Sequence, residues 1–70
     1  MVPLLFSTPG EENIIRRVGG NPAVKKHLED MGFVVGGAVT VLSSIGGDLI
    51  VKVKDSRVAI SREMAGKIMI

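Results

Sequence analysis

The hydrophobic positions change their spacing three times along the chain. Residues 12–18 (Glu-Asn-Ile-Ile-Arg-Arg-Val) are rich in β-branched side chains and stop at Gly19-Gly20, which predicts a first strand. Between Asn21 and Gly32 the apolar residues Val24, Leu28 and Met31 recur at i, i+4 and i+7, one stripe of a helix. Asn21 is a good N-cap, and Pro22 follows at the first helical position, where its missing N–H costs nothing. Gly32 supplies the left-handed residue that ends many helices, and Phe33 is placed to fold back onto the last turn.

From Ala38 onward the period is two. Val39 and Val41 alternate with Thr40 and Leu42, and residues 43–48 (Ser-Ser-Ile-Gly-Gly-Asp) predict a hairpin loop. Leu49, Val51 and Val53 then face one way, with Lys52 and Lys54 on the other, the mark of a strand with one wet face. Lys54-Asp55-Ser56 turns the chain into a strand carrying Val58 and Ile60 inward. Ser61 caps a single turn over 62–66, and a closing strand over 67–70 points Ile68 and Ile70 inward. The expected fold is therefore mostly β with one short helix, a small closed or half-closed barrel of about five strands. Closure also protects strand edges in so short a chain. Its predicted core is Val24, Leu28, Met31, Val39, Val41, Leu49, Val51, Val53, Val58, Ile60 and Ile68. Residues 1–8 read as an apolar leader and residues 9–70 as the domain.

Composition sharpens this picture mainly by exclusion. With 70 residues there is one domain, and without cysteine there is neither a disulfide framework nor a thiolate metal site. The 46% hydrophobic content is high for a small domain and implies either a densely aliphatic core or apolar surface reserved for a partner or for self-association. No apolar run reaches the roughly 20 residues that span a bilayer. The start of the chain lacks the basic region of a signal peptide, so the expected compartment is the cytoplasm.

Candidate chemistry is sparse. The chain has one histidine and no paired carboxylates at a spacing suited to acid–base work. Ser43, Ser44, Ser56 and Ser61 all fall at predicted turns or strand ends, where serine is a turn or cap residue. Neither Gly19-Gly20 nor Gly46-Gly47 leads into the Lys-Ser/Thr of a phosphate-binding loop. His27 and Asp30 share one side of the helix, but two such ligands do not make a metal site. No enzyme, cofactor or bound metal is expected.

The net charge of +2 comes from basic residues spread in pairs, including Arg16-Arg17, Lys25-Lys26 and Lys52/Lys54. Binding of nucleic acid through the Lys52/Lys54 face is the alternative reading. It suffers from the aromatic content: only Phe6 and Phe33 are present, whereas single-strand binders use rings as stacking platforms.

The segment Leu-Glu-Asp-Met-Gly-Phe-Val-Val-Gly-Gly-Ala-Val-Thr-Val-Leu (28–42) resembles the signature of the FeoA family of small accessory proteins in bacterial ferrous iron uptake. Leu28, Asp30, Met31, Gly32, Phe33 and Gly36 carry the likeness. It extends through Pro9-Gly10-Glu11 before the first strand, Gly47-Asp48 in the hairpin loop, and the close of the chain from Val58 to Ile70. Leu49 stands where that loop usually has a proline, and the leader is more apolar than the family's simple start.

The resemblance implies a Src-homology-3-like barrel working beside FeoB, a membrane iron permease with a cytoplasmic GTP-binding domain. It also implies recruitment to the inner face of the membrane, and a non-enzymatic interaction module with iron as the pathway's cargo. In family terms the contact surface is the helix end and the following loop: Asp30, Met31, Gly32, Phe33, Val35 and Gly36. Arg16, Arg17, Arg57 and Arg62 are available to a regulator of GTP hydrolysis, yet none lies on an evident finger loop.

Overall fold

The computed structural model describes every residue from Met1 to Ile70. A 3-10 turn, Leu4–Phe6, precedes six strands and two helices: β1 (Glu12–Ile14), β2 (Arg17–Val18), α1 (Pro22–Asp30), β3 (Ala38–Ile45), β4 (Asp48–Val53), β5 (Ser56–Ser61), α2 (Arg62–Ala65) and β6 (Ile68–Met69). The strands form a four-stranded antiparallel sheet in the order β1-β3-β4-β5 and a two-stranded antiparallel sheet of β2 and β6.

The expected mostly-β fold is present, but the first predicted strand is two strands. Its side chains explain the break. Ile15 and Val18 are both buried, three residues apart, with Arg16 and Arg17 exposed between them. A continuous strand alternates faces with period two and would force one of the two apolar residues outward. The chain instead leaves the large sheet after Ile14, buries Ile15, and enters the small sheet at Arg17.

The hairpin between β3 and β4 is also tighter than the predicted six-residue loop. Val41 opposes Val51 while Ser43 opposes Ile50, so β3 carries one extra residue, Leu42, as a bulge. The bulge keeps Ser43, Ser44 and Ile45 paired and leaves Gly46-Gly47 alone as the connection. Gly46 takes a positive φ of 59°, as a two-residue hairpin loop requires.

Across the large sheet, Leu49 opposes Ile60 and Val51 lies between Val41 and Val58, which sets one apolar face. The other face carries the row Glu12, Thr40, Lys52 and Arg57. The core joins this apolar face to Leu28 of α1, Phe33 beyond it, Ala65 of α2 and Ile68 of β6. Of the predicted core, Val24, Met31 and Val58 pack against it while only half-buried.

Leu4, Ile15, Val18, Phe33 and Ala65 complete the core. Leu4, from the stretch set apart as a leader, has no exposed surface at all. The leader is held by the other end of the chain: Val2 and Ile70 exchange backbone hydrogen bonds of 3.1 and 2.9 Å, and Pro3 bridges to Met69. Proline suits that outer position, where a backbone N–H is not needed.

Candidate functional site

Two consecutive backbone devices follow α1, and they do different work. The first ends the helix. Asn21 starts α1 by accepting a hydrogen bond from the Val24 N–H at 2.9 Å. At the far end Gly32 has φ +107°, its N–H donates to Glu29 at 3.0 Å, and the Phe33 N–H donates to Leu28 at 3.0 Å. This pair of bonds is the Schellman cap, which satisfies carbonyls the helix leaves open. It also swings Phe33 into the core beside Leu28, both fully buried.

The second device is a turn. The Gly37 N–H donates to the Val34 carbonyl at 3.0 Å, and Gly36 has φ +90°. A positive φ at the third residue of a four-residue turn is the signature of type II, which calls for glycine there. Val35 occupies the corner before it and is 66% exposed. The turn is latched to the crossover between the sheets: Gly36 N–H donates to the Ile15 carbonyl and Ile15 N–H donates to the Gly37 carbonyl, both at 2.8 Å. An apolar side chain is thus held out on a fixed backbone.

Surface depressions lie on both sides of this turn, and Val34 borders both of them. The larger, about 540 Å³, is lined by Arg16, Arg17, Lys25 and Glu29 around Val34 and Val35. The smaller, about 130 Å³, has Glu12, Thr40, Lys52 and Lys54 beside Val34 and Ala38. Val35 lines only the larger one, where three cations face one carboxylate, a positive setting beside an apolar point. Ile14, 48% exposed, ends β1 immediately before Ile15 at the crossover.

The structure divides the six residues expected at the contact surface. Val35, Gly36 and Asp30 are exposed, and Met31 is half-buried. Gly32 and Phe33 are buried, so they shape the surface without being on it. Sequence reasoning missed Val34, Arg16, Arg17 and Lys25 as parts of one locality. The adjacent arginines were the available signal, because a charged doublet that interrupts a β-branched run marks an exposed crossover.

His27 and Asp30 are both exposed on α1. No group of three or more His, Asp or Glu side chains is arranged to hold a metal ion.

Comparison with known proteins places the domain in a class and then in a family. Its architecture is shared by small proteins of the Src-homology-3 type: a zinc-bound FeoA of Stenotrophomonas maltophilia, described as a procaryotic SH3 domain protein, superimposes with a TM-score of 0.86 at 23% identity, over 99% of this chain and 88% of that one. A crystal structure of an iron uptake regulatory protein (FeoA) gives a TM-score of 0.87 at 32% identity, over 96% of this chain and 91% of that one. The chain is 34% identical over its whole length to "Putative Fe(2+) transport protein A" of Methanocaldococcus jannaschii, covering 85% of that protein. The FeoA domain model matches residues 2–70. The chain belongs to the FeoA family of ferrous iron transport accessory proteins.

Proposed function

We propose that the domain is a non-enzymatic docking subunit that binds the cytoplasmic part of a FeoB-type iron permease through the turn Val34–Gly37. The observation that carries this reading is Val35: a valine 66% exposed at the corner of a type II turn that two 2.8 Å hydrogen bonds hold to the buried Ile15. An isolated exposed valine means little. One held out on a braced backbone at the rim of a cation-lined depression has the form of an apolar anchor for a partner. Membership of the FeoA family supports a transport-system partner. No helix of the chain is long and apolar enough to cross a membrane, so contact with a permease would fall on the permease's own soluble part.

Fe²⁺ is cargo of the pathway in this reading and is not held by the domain. Titration of the full chain against the cognate permease's cytoplasmic part tests the proposal. Saturable, stoichiometric binding is expected, and its absence with both the isolated cytoplasmic part and the intact permease in detergent would overturn it.

A further inference from the structure

The two depressions beside the docking turn differ in kind, and the larger has the features of a receptor for a defined partner segment. Arg16, Arg17 and Lys25 line it against the single carboxylate of Glu29, and Val34 and Val35 supply apolar wall. β2 pairs with β6 on one side only, and Arg17 and Val18 of β2 line the depression. An unpaired strand edge in a groove is where an extended peptide adds itself, with main-chain bonds for affinity and alternate side chains for selectivity.

We infer that this groove binds an extended, acidic segment of a partner protein, with an aliphatic side chain packed on Val34 and Val35 and carboxylates facing Arg16, Arg17 and Lys25. The inference rests on the reading of the Val34–Gly37 turn as a docking surface and names the chemistry of what docks. Arginine favours carboxylate because its planar fork donates two parallel hydrogen bonds. Two alternatives fit less well. An anionic membrane engages cations together with interfacial Trp or Tyr, and the chain has neither. Single-stranded nucleic acid would need stacking platforms, and no aromatic residue lines the groove. Glu29, inside the groove, opposes a polyphosphate and leaves room for a partner's single cation.

The test uses the ¹⁵N-labelled full chain and a blocked synthetic peptide alternating Asp with Leu, followed by its Asn/Leu counterpart. The acidic peptide should shift the amides from Arg16 to Gly20 and that of Val35, and the Asn/Leu peptide should bind at least about tenfold more weakly. R17Q/K25Q should weaken binding about tenfold, and K52Q/K54Q, which alters the smaller depression, by less than about twofold. All four side chains are exposed, so melting temperatures should match and exclude a folding artefact. No amide shift at millimolar peptide, equal binding of both peptides, or equal loss in both double variants overturns the inference. So does tighter binding of phosphatidylglycerol vesicles or of oligothymidylate than of the acidic peptide. The permease titration separates the two readings. If the permease binds wild type and R17Q/K25Q equally, the groove assignment fails and docking stands. If the acidic peptide occupies the groove while the permease does not bind, the docking reading fails and the groove assignment stands.

Discussion

Residues 30–33 and residues 34–37 are neighbours, each built around a positive-φ glycine, yet one group is turned inward and the other outward. At the helix end, Gly32 closes a Schellman cap whose product is a fully buried Phe33. At the turn, Gly36 closes a type II corner whose product is an exposed Val35. The same conformational freedom serves stability in the first and display in the second. Apolar content alone therefore does not separate core from exposed surface in a domain this small. What separates them is where the backbone bonds of each turn are anchored.

The largest expected effect breaks the inward half. Phe33→Ala removes a fully buried ring and should cost about 3–5 kcal/mol, measured by denaturant unfolding. A cost below about 1 kcal/mol would show that Phe33 is not a core residue. The neighbouring strand β4 gives the same contrast between adjacent positions. Val51→Ala should cost about 1–3 kcal/mol, and Lys52→Ala on the wet face should stay within about 0.5 kcal/mol. Reversed costs would contradict the register, since a slip of one residue exchanges the two faces.

The two glycines sharpen the comparison further. Gly32→Ala and Gly36→Ala should each cost about 1–2 kcal/mol, because a Cβ is strained at positive φ. Space is not the limiting factor. A Cβ on Gly32 would lie 3.5 Å from Val53 and Lys54 side-chain atoms, and one on Gly36 would meet nothing within 4 Å. They should part company in binding. Measured on fully folded protein, Gly32→Ala should retain affinity for the permease, whereas Gly36→Ala should lose it through a disturbed Val35 corner. Equal affinities for the two would mean that the turn's geometry does not matter to docking.

Much of this contrast was legible in the sequence, and the rest was hidden for identifiable reasons. Asn21, Pro22 and Gly32 mark the helix because capping chemistry is local. The faces of Leu49, Val51 and Val53 are equally plain, because period two over a run of β-branched residues has one solution. Leu4 and Ile15 were not legible as core residues. Leu4 sits in a stretch too short to show periodicity, and its burial depends on pairing between Val2 and Ile70 at opposite ends of the chain.

Ile15 belongs to neither strand, so its inward direction follows from a switch between sheets that alternation cannot announce. The extra residue Leu42 likewise keeps β3 paired through Ile45, and a loop-like composition conceals it. At the site, the family resemblance assigns Phe33 to the contact surface along with its whole motif, which does not separate inward from outward side chains. The Schellman bonds turn Phe33 inward. Arg16, Arg17 and Lys25 share a depression with Val34 and Val35 where Ile15 is latched to the turn, a contact between distant parts of the chain.

In the docking proposal Val35 is displayed for a partner and contributes little to the fold. Val35 and Asp30 are both exposed, so the double variant Val35→Ala/Asp30→Ala should unfold within about 0.5 kcal/mol of wild type. The decisive measurement is its calorimetric titration against the permease's cytoplasmic part, beside the wild type. An affinity at least about tenfold weaker with an unchanged melting temperature is expected, the cost of removing an interface anchor. Undiminished affinity in a fully folded double variant would contradict it and move the contact surface elsewhere on the barrel.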